Sequence, residues 1–599
     1  MSDQKNLILA IIASVVIMLG FQYFYEWPRA EQARKLAEMQ RQEQQQATPV
    51  PVPGGAPAPG AAPSATMPGA APAIPNREAV LTNAPRVKIS SARLHGSINL
   101  QGGRLDDLTL AEYREKLEAN SPEIVLLAPA GTANPYYSDF GWSAASDAGI
   151  KLPGPDTVWT ASAATLAPGQ PVTLTWDNGD GLKFSRTFAL DDKFMFTVTQ
   201  KVENSGDKAA TVFPYALISR HGTPLTDGLY ILHEGPLGVF RDKAEQDGTL
   251  KETSYSDLKG KPATEVNSIG GWIGITDKYW LTALIPGNDT AIKARFSHTA
   301  RGTQDRYQID VLANEGATVA PKGSTESTVR LFAGAKLVNL IDAYEKQYGI
   351  PRFDRAIDWG WFYFLTKPIF FALDYFYKMI GNFGLAILAL TVIIKTLFLP
   401  LAYRSYVSMS QMKELQPKMV ELREKFGEDR TKLNQEMMAL YKREKINPAA
   451  GCLPILLQIP VFFALYKVLY ITIEMRHAPF YGWINDLSAP DPTTYLNLFG
   501  LLPYTVPNLG PLQILSLGAW PILMGISMWL QMKMNPQPPD PIQAKVFAFM
   551  PFIFTFMLGS FASGLVIYWT WNNLLSVAQQ WFIMRRVKHR KLAATPKKA

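Results

Sequence analysis

Apolar and polar positions along this chain fall into three regimes. Leu7 to Tyr25 is a largely apolar run, long enough to cross a bilayer. It closes on Phe21, Tyr23, Phe24, Tyr25 and Trp27, aromatic residues suited to a membrane–water interface. With only Lys5 ahead of it and no small-residue cleavage site behind it, residues 1–28 read as an uncleaved signal anchor rather than a signal peptide. From 78 to 340 the pattern becomes period two. VTLTW (172–176), a turn at Asp177-Asn178-Gly179-Asp180-Gly181, LKFSRTFAL, and the continuation through Phe194, Met195, Phe196, Val198 and Val202 predict strands. Many short strands between Gly, Pro and Asn turns predict a large antiparallel β-sandwich. After 380 long apolar segments dominate, and spans are predicted at about 382–402, 450–473, 512–532, 546–560 and 563–582. The fold class expected is therefore an α-helical polytopic membrane protein of six spans, five of them after the β domain.

Two connecting regions complete the organisation. Residues 29–77 are charged and Gln-rich, then Pro/Ala/Gly-rich (ATPVPVPGGAPAPGAAPSATMPGAAPAIP), and read as an extended linker. Residues 341–380 are aromatic and helical. Asp358, Lys367, Pro368, Asp374 and Lys378 interrupt them, so they are expected to form an amphipathic interfacial helix rather than a span.

Basic residues orient the spans. Loop 403–448 carries ten Lys and Arg, among them Arg404, Lys413, Arg423 and Lys442, and the tail 583–599 adds Arg585, Arg586, Lys588, Arg590 and Lys591, whereas loop 474–511 has only Arg476. Both termini, loop 403–448 and loop 533–545 are placed in the cytoplasm. The β domain falls outside, in the periplasm of a Gram-negative cell.

Composition narrows the chemistry. The chain has 599 residues, a net charge of +8, one cysteine (Cys452) and six histidines. One cysteine excludes an intramolecular disulfide and a cysteine metal cluster. The scattered histidines offer no HExxH spacing, and no Walker, GxSxG or GxGxxG loop stands in a suitable context. No catalytic residue, cofactor or metal is expected.

Loop 403–448 has its own pattern. Met412, Leu415, Met419, Leu422 and Phe426 step by 3, 4, 3 and 4, a heptad seam that resumes at Leu433, Met437 and Leu440 after Phe426-Gly427-Glu428-Asp429. An antiparallel coiled-coil hairpin is predicted, with Pro417 as a kink. Two roles stay open for it, a stable spacer and a Met-rich docking arm.

The unusual residue is Lys395, within LAILALTVIIKTLFLPLAYRS (385–405). A charge at mid-bilayer costs about 2.5–3.5 kcal/mol on insertion scales. Arg404 is nine residues, about 13 Å, further along a helix, too far for the lysine to snorkel unaided. Thr391 lies one turn earlier on the same face. Gln458 in the third span and Tyr568, Trp569, Asn572 and Asn573 in the last fall at overlapping depths. Two readings result: these groups glue the helices together, or they wall a hydrated pocket open to the cytoplasm. No carboxylate sits convincingly mid-span, which argues against a proton relay or an ion pump.

GCLPILLQIPVFFALY (451–466), NQEMMALYKREKINPAAGC, APFYGWINDLSAPDP (478–492), FASGLVIYWTWNNLLSVAQQ (561–580) and GWIGITDKYWLTALIP (271–286) resemble the YidC/Oxa/Albino membrane protein insertases, Gram-negative type. The resemblance covers nearly the whole chain. It implies a six-span inner-membrane insertase and chaperone, working alone or with the Sec translocon on nascent membrane proteins, with a groove facing the cytoplasm and the phospholipid bilayer. It also implies a β-supersandwich like sugar-binding folds, from which no sugar chemistry follows. Carried over residue by residue, substrate contacts fall on Thr391, Lys395, Gln458, Ile459, Met557 and Trp569. Family members commonly have arginine at the position of Lys395, and lysine lacks that planar fork. Two rivals remain on the residues alone: an anion transporter or channel binding at Lys395, and an assembly scaffold. The basic tail suits either ribosomal RNA or anionic lipid, or serves only to retain that end inside.

Overall fold

A computed structural model describes residues 76–594, apart from 119, 147, 227–231, 245, 302–303, 427–428, 445–452, 503, 505, 507–515 and 536–540. The predicted first span and the linker as far as 75 lie outside the described residues. The chain divides into two compact units between Asp358 and Trp359.

The unit before Asp358 is built on two sheets, one of eleven strands and one of nine. Their pairings are antiparallel except for Arg86–Ser90 with Thr165–Leu166. The predicted hairpin at 172–190 is present: Val172–Asp177 pairs with Leu182–Leu190. Asn178 closes the turn by accepting from the backbone N–H groups of Asp180 and Leu182, while Gly179 and Gly181 take positive φ. Alternation then decides what faces inward. Leu182, Phe184, Phe188 and Leu190 are buried, and Phe184 and Phe188 meet Trp142 and Phe140 of the other sheet at centroid distances of 5.0 and 6.0 Å. The inward alternation also buries Arg186. Its guanidinium donates to the carbonyls of Gly102 and Gly103 at 3.0 and 3.1 Å, lies 4.5 Å over Trp159 and 3.8 Å from Asp139, so the buried charge is paired as the cost of its desolvation requires.

Strands Gly235–Phe240 and Trp272–Thr276 are buried along their whole length. Both faces are covered, which period-two reasoning does not foresee. Helix α3 (Val338–Tyr348) and the 3-10 turn Phe353–Ala356 supply part of that cover. Phe353 packs on Trp272 at 5.4 Å and on Phe332 at 5.6 Å, and Tyr344 on Phe332 at 6.0 Å. The Trp272 indole N–H donates to the Pro351 carbonyl at 3.1 Å. Residues 341–358, grouped by sequence with the interfacial segment, thus belong to the β unit. Two shorter helices, α1 (Arg77–Leu81) and α2 (Tyr255–Leu258), belong to the same unit.

The second unit is helical: α4 (Tyr363–Ile380), α5 (Phe383–Leu397), α6 (Leu399–Phe426), α7 (Arg430–Arg443), α8 (Leu453–Ile471), α9 (Ala519–Met534), α10 (Pro541–Leu558) and α11 (Ser563–Ala594). Helix α4 buries Thr366, Ile369, Phe370, Leu373 and Asp374, packs on α5 and α8, and leaves Phe364, Phe371 and Tyr375 exposed. Among the described residues no single helix is long and apolar enough to cross a membrane. The pair α5 and α6 together is, with a bend of 67° between them. The span predicted at 382–402 is therefore broken at Phe398. Pro400 gives the reason: it has no N–H to offer and its ring clashes with the carbonyl four residues back, at Thr396. At the other end, the last predicted span runs on as one helix to Ala594.

Helices α6 and α7 fold back on each other. Leu415, Met419 and Leu440 are buried between them, with Leu422, Met437 and Tyr441 packed around. Met412 and Phe426 are only partly buried, and Lys425 and Lys432 lie 5.5 and 5.4 Å over the Phe426 ring. Helix α6 continues through Pro417. The first three turns of α6 pack elsewhere, where Ala402, Tyr406 and Met409 cluster with Ile583 and Val587 of α11.

Candidate functional site: a polar cavity around Lys395

Lys395 occupies the last turn of α5, just before the break at Phe398. Its ammonium donates to Ser576 Oγ on α11 at 2.7 Å and to Gln458 Oε1 on α8 at 3.5 Å. The break leaves carbonyls at the end of α5 without helical partners, and Gln579 Nε2 donates to that of Lys395 at 3.4 Å. One residue thus meets two other helices through its side chain and its backbone.

Around the ammonium lies a cavity lined by Thr391, Ile394, Lys395 and Phe398 of α5, Leu401, Ala402, Tyr406 and Met409 of α6, and Gln458 and Val461 of α8. Gln531 of α9, Asn535 just beyond it, and Tyr568, Asn572, Ser576 and Gln579 of α11 complete the lining. It leaves about 80 Å³ for the centres of water-sized molecules, room for several waters. Lys395 is the one formal charge among these lining residues, and the other polar groups are amides and hydroxyls. Thr391 and Ser576 each send a hydroxyl hydrogen back to their own helix, to the carbonyls of Ile387 at 2.6 Å and Asn572 at 2.8 Å. Their oxygen lone pairs remain to accept from a cation or a water. Among the described residues no group of three His, Cys, Asp or Glu side chains is placed to hold a metal.

The structure thus gathers five of the sequence-named residues on one cavity: Thr391, Lys395, Gln458, Tyr568 and Asn572. Four lie elsewhere. Ile459 is 45% exposed on the outer face of α8. Met557 and Trp569 pack against the buried cluster Met524, Leu558 and Val566, and Trp569 meets Phe462 at 4.6 Å. Asn573 is buried and donates to Ser527 Oγ of α9 at 3.1 Å. The neighbours Asn572 and Asn573 therefore face different ways, as about 100° of rotation per residue requires. Sequence reading missed Ser576, Gln579, Tyr406, Gln531 and Asn535. Asn572, Ser576 and Gln579 repeat at i, i+4 and i+7, a polar stripe on one face that the last span displays openly.

The family model described as YidC periplasmic domain matches residues 86–372, and the one described as 60Kd inner membrane protein matches residues 375–591. A membrane protein insertase YidC of Methylorubrum extorquens is 54% identical over 594 residues, covering 98% of this chain and 96% of that protein. That of Bradyrhizobium diazoefficiens is 50% identical over 605 residues, covering 98% and 97%. A solved active YidC insertase with its first transmembrane domain resolved is 15% identical, covers 83% of this chain and 92% of that one, and has a TM-score of 0.35, a likeness too slight to carry an argument. On the sequence matches over almost its full length, the chain belongs to the family of YidC membrane protein insertases, which are not enzymes.

Proposed function

We propose that this protein inserts nascent membrane proteins into the inner membrane by lending their hydrophilic segments a wet, cationic cavity within the hydrocarbon layer. The observation that carries the reading is the Lys395 ammonium, held among neutral polar side chains with no carboxylate in the lining. A polar segment crossing lipid leaves its backbone and side-chain groups without partners, at a cost of several kcal/mol per group. Amide and hydroxyl walls with trapped water replace those partners, and Lys395 attracts acidic segments. The apolar part of the client then slides over the outer face of α8, where Ile459 and Phe463 are exposed, and enters lipid by the hydrophobic effect. No nucleotide, cofactor or metal takes part.

The same proposal places six spans in the membrane, both termini and the α6–α7 hairpin in the cytoplasm and the β unit in the periplasm. The basic asymmetry of the loops supports it. The hairpin acts as a docking arm through the seam that includes Met412, Leu415, Met419, Leu422 and Phe426. The Sec translocon works with the protein on some clients, and the basic tail engages ribosomes.

Site-specific photo-crosslinking tests the cavity. A photoreactive residue at Gln458 or Gln531 should form adducts with a ribosome-stalled nascent membrane protein through its hydrophilic segment. A clean result at both positions, alongside adducts from the exposed Ile526, would send clients along the lipid face only and sink the cavity route.

A further inference from the structure

Between Arg476 and Lys533 the chain has no lysine, arginine or glutamate, and only two aspartates. Both are turned to internal work. Asp486 accepts from the backbone N–H of His477 and from the backbone and hydroxyl of Ser488. Asp491 accepts from Trp483, from Thr493 and from the backbone N–H of Trp520 at the start of α9. From His477 to the start of α9 the loop therefore carries no lysine, arginine or glutamate, and both of its aspartates are engaged. Its tip offers apolar surface instead: Tyr495, Leu498, Phe499, Leu501, Leu502 and Tyr504 are all exposed, Leu501 at 82%.

This exposure is built into the backbone. Leu498 and Phe499 are held at φ 51° and 59°, the left-handed region that bulky side chains rarely adopt. The turn is locked from within. Phe499 N–H donates to Thr494 O at 2.8 Å, Leu502 N–H to Asn497 O at 3.1 Å and Leu501 N–H to Leu498 O at 3.2 Å. Asn497 Oδ1 accepts from Gly500 N–H at 3.0 Å, and the Tyr504 hydroxyl donates to Leu496 O. These bonds satisfy part of the tip's main chain internally, which lowers the cost of its leaving water. Uncharged, internally bonded, edged by two tyrosines and joined at both ends to apolar helices, it has the composition of an interfacial anchor.

We infer that the tip formed by residues 495–502 and Tyr504 inserts its leucines and Phe499 into the outer leaflet of the bilayer as a peripheral anchor, recognising acyl chains rather than headgroup charge. The inference rests on reading α8 and α9 as spans with their connection outside. The anchor ties the periplasmic ends of these two cavity-lining helices to the membrane surface, at the side opposite the cytoplasmic entry.

The test uses the full chain in vesicles, with Cys452→Ser removing the one native thiol and an environment-sensitive fluorophore on Leu501→Cys. Ile526→Cys in α9 and Val158→Cys in the β unit, 55% and 62% exposed, serve as span and water controls. The Leu501 label should show blue-shifted emission, quenching by shallow lipid nitroxides and protection from iodide. It should do so equally in phosphatidylcholine and in phosphatidylcholine with phosphatidylglycerol. A Leu501 label that behaves like the Val158 label overturns the anchor. One protected from both lipid nitroxide and iodide places the tip against protein and overturns it equally. If the Ile526 label escapes deep nitroxides, it is the span assignment that fails.

Discussion

The charge series at Lys395 separates the wet-cavity reading from one in which its polar residues only hold helices together. A client carboxylate about 4–8 Å from the ammonium gains about 2–4 kcal/mol at an effective dielectric near 20. At about 1.4 kcal/mol per decade that is about 30- to 800-fold in residence. Folding has far less at stake. The ammonium makes one good contact, to Ser576 at 2.7 Å, and hydrogen bonds between membrane helices average about 0.6 kcal/mol. Ser576 keeps its bond to the Asn572 carbonyl when the amine is gone. Lys395→Arg, Lys395→Gln and Lys395→Glu would be compared in purified vesicles. Protease protection would score two versions of one client whose translocated segment is either acidic or neutral. Arg should insert both. Gln should slow the acidic client by one to two orders of magnitude (about 1.4–2.8 kcal/mol) and spare the neutral one, and Glu should reject the acidic client altogether. Melting temperatures should stay together. Equal losses for both clients, or stability falling in step with insertion, would refute the electrostatic argument and leave Lys395 as glue.

Three further outcomes follow from the geometry. Asn573→Ala should cost about 0.6–1.7 kcal/mol by removing the N–H that Ser527 Oγ accepts, while that hydroxyl still donates to the Met524 carbonyl, and an Asn573/Ser527 double-mutant cycle in detergent unfolding would read the coupling, where none is expected for Asn572 with Ser527. Gly525→Ala would place its Cβ 2.1 Å from Thr555 Oγ1 across the α9–α10 contact; it should destabilise by about 1–3 kcal/mol, and adding Thr555→Ala should recover most of that in the same unfolding assay. In the β unit, the Lys259 hydrogen bond, with those of His298 and Thr223, lowers the Asp305 carboxyl from its ordinary 3.8 to about 2. A depressed folded value means the contribution is complete above pH 4 and fades as pH falls toward 2. Asp305→Asn should therefore flatten acid unfolding of the full chain, followed by tryptophan fluorescence, across that window, and an unchanged acid limb would dismiss the network.

Sequence alone carried the strands, the turn at Asn178, the seam at Leu415 and Met419, and the anomaly of Lys395. These are local facts: period, turn chemistry, and depth along a helix at about 1.5 Å per residue. Depth was enough to gather Thr391, Gln458, Tyr568 and Asn572 at one level. It could not say which helix stands beside which, nor how each is rotated. Only the packing separated Asn572, which faces the cavity, from Asn573, which braces α9. Packing also found Ser576 as the partner of the ammonium and moved α3 onto the β unit through Phe332. Reading 382–402 as one span passes over Pro400 and so misses the break at Phe398, and only the packing shows its 67° direction, which folds Ala402, Tyr406 and Met409 over the cavity and against α11. A sequence fixes spacing along its own axis, whereas lateral neighbours are chosen by the shape and burial of surfaces distant in the chain.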